Sequence, residues 1–164
     1  MKKLLLTFIF STLAFVLFYS VYTTGIFSSN ELMYPTEYTD ISSYYGFRLL
    51  YGSANFHNGV DFLAPQGSNI YAADSGIVDY VGFMSDGSGN TISVSHDSGI
   101  STMYCHTDET FLVNVGDYVQ KGQIIGHVGP QYLSSGIMNG NTTGPHLHFM
   151  VLKDGYTVNP LAMI

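Results

Sequence analysis

Two histidines stand two apart in Gly144-Pro145-His146-Leu147-His148-Phe149, and the Met150-Val151-Leu152 run that follows is apolar. A short apolar run of this kind predicts a buried strand. On a strand, positions two apart share a face and lie roughly 6.6–7 Å apart along the backbone. Such a pair can share one metal ion, or one ring can hold the metal while the other moves protons on a bound water. Far upstream, His57-Asn58-Gly59-Val60-Asp61 places an imidazole and a carboxylate four apart, on one face of an extended segment. That imidazole and carboxylate, with one imidazole from the second segment, make three N/O ligands. Three such ligands with a fourth position left to water is the pattern of a catalytic zinc site.

Other chemistries fit less well. Cys105 is the single cysteine, so neither a cysteine-rich structural zinc site nor an intrachain disulfide is available. Cys105 reads as a small buried apolar residue. The only glutamates are Glu31, Glu37 and Glu109, none within a His-Glu-x-x-His helix, so a histidine has to serve as the general base. His96 and His127 fit neither segment and read as surface or turn histidines.

The elements that must carry these residues are strands. The chain of 164 residues is rich in Tyr, Phe and Gly and holds 5 prolines, a balance that favours an all-β domain with tight turns. Val60–Leu63, Asn69–Ala73, Gly76–Phe83, Asn90–His96 and Ile100–His106 are the expected strands. Asp97-Ser98-Gly99 is expected to turn the last two into a hairpin, and Ser85–Gly89 forms another turn cluster. Pro130 to Thr143 reads as a long loop, and loops of that length inside a compact domain carry function or move. Gly116 to Gly126 has the glycine spacing of short strands folding back on each other. A lipoyl-like carrier would account for that stretch but would leave the histidines unused.

Charge and hydropathy divide the chain. All 12 acidic residues lie at or beyond Glu31, whereas two of the five cationic residues, Lys2 and Lys3, precede it. A domain so acidic offers no basic patch for nucleic acid. From Leu4 to Asn30 there is no charge, and the apolar core Leu4–Tyr22 is long enough to span a bilayer. The lysines at its start would stay cytoplasmic and the remainder would face outward. The expectation is a signal anchor over residues 1–27, a linker over 28–40 and a folded domain over 41–164. Secretion after signal cleavage is the alternative, with Thr23-Thr24-Gly25 a weak cleavage site.

Taken in order, Phe56–Asp61, Tyr71–Val78, Tyr104-Cys105-His106, Gly116–Gly126 and Gly144–Phe149 resemble the lysostaphin-type (LytM-like, beta-lytic) zinc metalloendopeptidases. The resemblance runs from Ile41 to the C-terminus. It implies a compact antiparallel β-sheet, a barrel-sandwich hybrid, cutting peptidoglycan peptides in the cross-bridge or the stem. It implies zinc held by His57, Asp61 and His148, with His146 and His106 catalytic. Tyr51 is the counterpart of a tyrosine that some relatives use to stabilise the oxyanion. Cys105, alternating with His106, is expected to point away from the metal. The alternative is a non-enzymatic or dual-role scaffold with the same fold, such as a sporulation-channel or wall-hydrolase regulator with a protein partner.

Overall fold

The apolar runs around the histidine segments set the centre of the architecture. The computed structural model describes residues 31–97 and 99–164. In chain order the strands are β1 (Ile41–Ser43), β2 (Gly46–Leu50), β3 (Ser53–His57), β4 (Val60–Phe62), β5 (Asn69–Tyr71) and β6 (Gly76–Met84). They continue with β7 (Gly89–Ser95), β8 (Ile100–Cys105), β9 (Tyr118–Val119), β10 (Ile124–His127), β11 (Leu147–Lys153) and β12 (Tyr156–Val158), followed by a 3-10 turn at Pro160–Ala162. Every pairing is antiparallel. The main sheet has eight strands in the order β1-β4-β11-β8-β7-β6-β9, with β12 also on β11. β5 with β10 and β2 with β3 form separate two-stranded ribbons.

β11 is the hub because its sequence alternates in function as well as in face. Leu147, Phe149 and Val151 are fully buried with Val60, Phe62, Ile92, Val94 and Tyr104. Each such side chain contributes about 1.5–3 kcal/mol on burial. The Tyr104 hydroxyl is paired inside this core: it accepts from the Ala73 N–H at 2.7 Å and lies 2.9 Å from Thr102 Oγ1. His148 and Met150, between the core residues, face the other side of the sheet.

The expected strands are all present, with ends moved by one or two residues. The turn after His96 uses Gly99 at φ 73°, whose N–H donates to the His96 carbonyl at 3.2 Å. The β2–β3 hairpin did not stand out as strands in the sequence. Residues 31–36, expected as linker, are docked on the domain. Leu32 N–H donates to the Met163 carbonyl, Met33 N–H to that of Ala73, and the Pro35 carbonyl accepts from Tyr71 N–H. Leu32 and Thr36 are buried, so this segment packs against the strands of the domain. Among the described residues no helix is long and apolar enough to cross a membrane; the expected anchor lies outside them.

Candidate metal centre

Strand register assembles the first two donors. His148 on β11 is directly opposite Asp61 on β4 and opposite Cys105 on β8. Opposed residues of an antiparallel pair share a face. His148 Nδ1 consequently lies 2.7 Å from Asp61 Oδ1. The third donor enters from the end of β3, where His57 Nε2 lies 3.1 Å from Asp61 Oδ1 and 3.1 Å from His148 Nδ1. One atom from each of the three residues falls within 4.8 Å of the others. Gly59 permits this approach: a Cβ there would meet the Phe149 carbonyl oxygen at 2.5 Å and the His148 ring at 2.7 Å.

The cluster is oriented from outside. His57 Nδ1–H donates to the Tyr44 carbonyl at 2.9 Å, which leaves the lone pair on Nε2, facing the other two donors. A backbone carbonyl on the far nitrogen is the usual means of orienting a metal-binding histidine. Burial by itself would raise the Asp61 carboxyl, but hydrogen bonds with His148 and His57 outweigh it and hold the group well below the usual carboxylate range. Burial lowers His148, against an opposing pull from the Asp61 carboxylate, and keeps the ring neutral. Two imidazoles and an ionised carboxylate converging from three segments fit a first-row divalent cation, with room for further ligands.

Two further imidazoles border the cluster. His146 Nδ1–H donates to the Gly144 carbonyl at 2.9 Å, with Thr142 Oγ1 at 3.2 Å. Its Nε2 is 3.6 Å from Asp61 Oδ1. His106 Nδ1–H donates to the Asn139 carbonyl at 2.7 Å, so its Nε2 also carries the lone pair. The two rings are edge to face, with centroids 4.8 Å apart. Burial, with help from the charges of His146 and His148, pushes His106 down to about 3.

Five of the six residues singled out from the sequence are therefore together; Tyr51 is not. It stands at the tip of the β2–β3 hairpin, 87% exposed and at φ 50°. Tyr51 borders a wider groove rather than the pocket at the three donors. Asp61 and His146 line that groove as well. Met138, Asn141, Thr142 and Thr143 of the long loop line the same groove.

Cys105 also differs from expectation. Strict alternation assumed a strand through His106, but the strand ends at Cys105 and His106 takes φ 59°. Cys105 thus shares the face of His148, buried beneath the cluster. His96, expected at the surface, is buried and bridges the Ser75 carbonyl and Thr102 Oγ1, each at 2.9 Å.

Arg48, Tyr44 and Asn139 were not singled out. Arg48 Nη1 lies 3.7 Å from Asp61 Oδ2. Asn139 is fully buried, accepting from Asn90 N–H at 2.8 Å while its Nδ2 donates to the Thr107 carbonyl at 2.9 Å. The Gly/Ser/Asn composition of its loop hides this anchoring role.

Comparison with known proteins agrees with the geometry. The profile of peptidase family M23 matches residues 55–160. The DD-carboxypeptidase/endopeptidase Mpg of Neisseria meningitidis is 34% identical over 79% of this chain, which spans 28% of that protein. The structure of Helicobacter pylori Csd3 superposes with TM-score 0.65 at 35% identity, over 82% of this chain and 34% of that one. The catalytic domain of lysostaphin from Staphylococcus simulans gives TM-score 0.63 at 32% identity, over 75% of this chain and 90% of that domain. The chain belongs to peptidase family M23.

Proposed function

We propose that this protein is a zinc endopeptidase that hydrolyses peptide bonds of bacterial peptidoglycan outside the cytoplasmic membrane. The observation that carries the reading is the convergence of His57, Asp61 and His148 within 4.8 Å, with His57 fixed by the Tyr44 carbonyl. Zinc suits two imidazoles and one carboxylate, and supplies a Lewis acid that polarises the peptide carbonyl and acidifies water. Similarity to the DD-carboxypeptidase/endopeptidase Mpg and to the peptidoglycan DD-endopeptidase ShyC of Vibrio cholerae supports a peptidoglycan peptide as substrate. The uncharged Leu4–Asn30 run after two lysines supports retention at the membrane, with the domain outside.

The residues divide the proton work. His146 is the more exposed ring, with its Nδ1 proton committed to Gly144, and it takes a proton from the attacking water at Nε2. The same proton is then given to the departing amine. His106 is too weakly basic to hold that proton. Its Nε2, fixed through Asn139, accepts a hydrogen bond and orients the water. Asp61, ionised throughout the working range, contributes charge rather than protons. A scaffold role alone would make no use of this set.

The test separates holding from chemistry. Asp61→Ala should lose both zinc and cleavage of purified peptidoglycan, whereas His146→Ala should keep about one zinc and lose cleavage. Wild-type protein without measurable zinc affinity at neutral pH would end the reading.

A further inference from the structure

We propose that Arg48 recognises a carboxylate on the substrate beside the bond that is cut. The inference rests on the peptidase reading for what occupies the groove, and on Arg48's own geometry for what it recognises. Among the described residues β2 pairs only with β3, and this ribbon lines the groove together with Met138 and Thr142–His146. Arg48 lines both the groove and the pocket at the three donors. Among the described residues it is the one Lys or Arg in either lining.

Its guanidinium is held without being used up. Nε–H donates to Asn55 Oδ1 at 3.1 Å, and an Nη1–H donates to Ser43 Oγ. A guanidinium has five N–H donors, and Nη2 makes no hydrogen bond to another described residue. The acid partner is Asp61 Oδ2 at 3.7 Å, too far for a hydrogen bond. Asp61 Oδ1 faces His57 and His148, so a divalent cation on that cluster draws on the same carboxylate charge. Arg48 is then a partly exposed cation with free donors, 31% accessible at its side chain. Of the other described cations, Lys121 is occupied with the Glu31 carbonyl, and neither it nor Lys153 lines the groove. In a domain this acidic, Arg48 is the cationic side chain that a carboxylate entering the groove meets. A planar fork with free N–H groups suits that partner in geometry as well as in charge.

The carboxylate has two possible sources: the C-terminus of the peptide, which would make the site a carboxypeptidase, or a side-chain carboxylate within a longer peptide. Two matched pairs of probes separate them. One is a blocked D-alanyl-D-alanine peptide as free acid and as carboxamide. The other is a C-terminally amidated peptide carrying Glu or Gln beside the scissile bond.

Binding is measured by calorimetry on zinc-loaded, full-length His146→Ala protein, and kcat/KM on wild type. The acid member of one pair should be favoured by about tenfold or more, mainly through KM. The pair that discriminates identifies the source. Arg48→Gln should bring the acid-to-neutral ratio close to one with zinc still bound. Arg48→Lys, which keeps the charge and loses the fork, should give an intermediate ratio and serves if the Gln variant does not fold. A wild-type ratio near one in both pairs, or a ratio unmoved by Arg48→Gln, would overturn the proposal. Discrimination in binding with no cleavage of any probe or of peptidoglycan would leave Arg48's role intact and count against the peptidase reading.

Discussion

His57 Nε2 and His148 Nδ1 lie 3.1 Å apart although 91 residues separate them in the chain. His57 has its ring proton on the Tyr44 carbonyl, so its Nε2 is a lone pair. His148 Nδ1 therefore faces two acceptors, that nitrogen and the Asp61 carboxylate at 2.7 Å. In chelator-treated protein the neutral His148 ring carries its proton on Nδ1. Ligation through Nδ1 requires the proton to move to Nε2. Nitrogen-15 NMR of the imidazoles, recorded before and after zinc addition, should show His148 changing tautomer while His57 keeps its Nδ1 proton. A His148 tautomer unmoved by zinc would place the ion elsewhere.

Gly59 is a steric requirement of the same cluster. Adding a methyl group drives a Cβ into the Phe149 carbonyl and the His148 ring. Gly59→Ala should weaken zinc binding by about 10–100-fold, the range seen when support of a metal ligand is disturbed. Gly144→Ala, where an added Cβ meets nothing within 4 Å, should leave zinc affinity unchanged. Competition with a chromogenic chelator measures both.

His106 gives the metal-free protein a pH signature. Its folded value of about 3 lies below the ordinary 6.5, because burial disfavours the charged ring. Between those values the unfolded chain binds the proton that the folded chain refuses, so stability falls as pH drops from about 6.5 toward 3. Asp61, depressed in the folded state, adds a further loss below its ordinary value of 3.8. Urea unfolding at a series of pH values should show a shallower decline for His106→Asn than for wild type, by up to about one proton. Equal slopes would mean that the ring titrates normally in the fold.

Cys105 should be chemically silent. It is fully buried opposite His148, and burial pushes its thiol up to about 12. A thiol held that high carries almost no thiolate near pH 8. An aromatic disulfide reagent should leave native protein unlabelled at pH 8 and titrate one thiol after denaturation. Rapid labelling of native protein would mean that the floor of the site opens.

The parts of the site that were legible in the sequence are those in which residue type announces the chemistry. His57, Asp61, His106, His146 and His148 sit in short segments where a polar ring or carboxylate interrupts an apolar strand. Antiparallel register then brings those segments together. The supports for these residues were not legible, for a physical reason. Tyr44, Gly144 and Asn139 act through backbone carbonyls, which every residue possesses. Arg48 reaches Asp61 only because the β2–β3 ribbon folds across the edge of the site, and alternating Phe47, Leu49 and Tyr51 mask it as part of an ordinary strand. His96 misled because a histidine beside a turn is usually solvated. Here Ser75 and Thr102 supply a partner for each ring nitrogen and allow burial.

Digestion of purified peptidoglycan tests the central claim most directly. Full-length protein in mild detergent is incubated with the polymer, and new amino termini are identified by mass spectrometry. The expected result is one family of new termini that appears with zinc-loaded wild type, vanishes on chelation, returns with added zinc and is absent with His146→Ala. Zinc-loaded wild type that binds one ion at this cluster and releases no new amino terminus would contradict it.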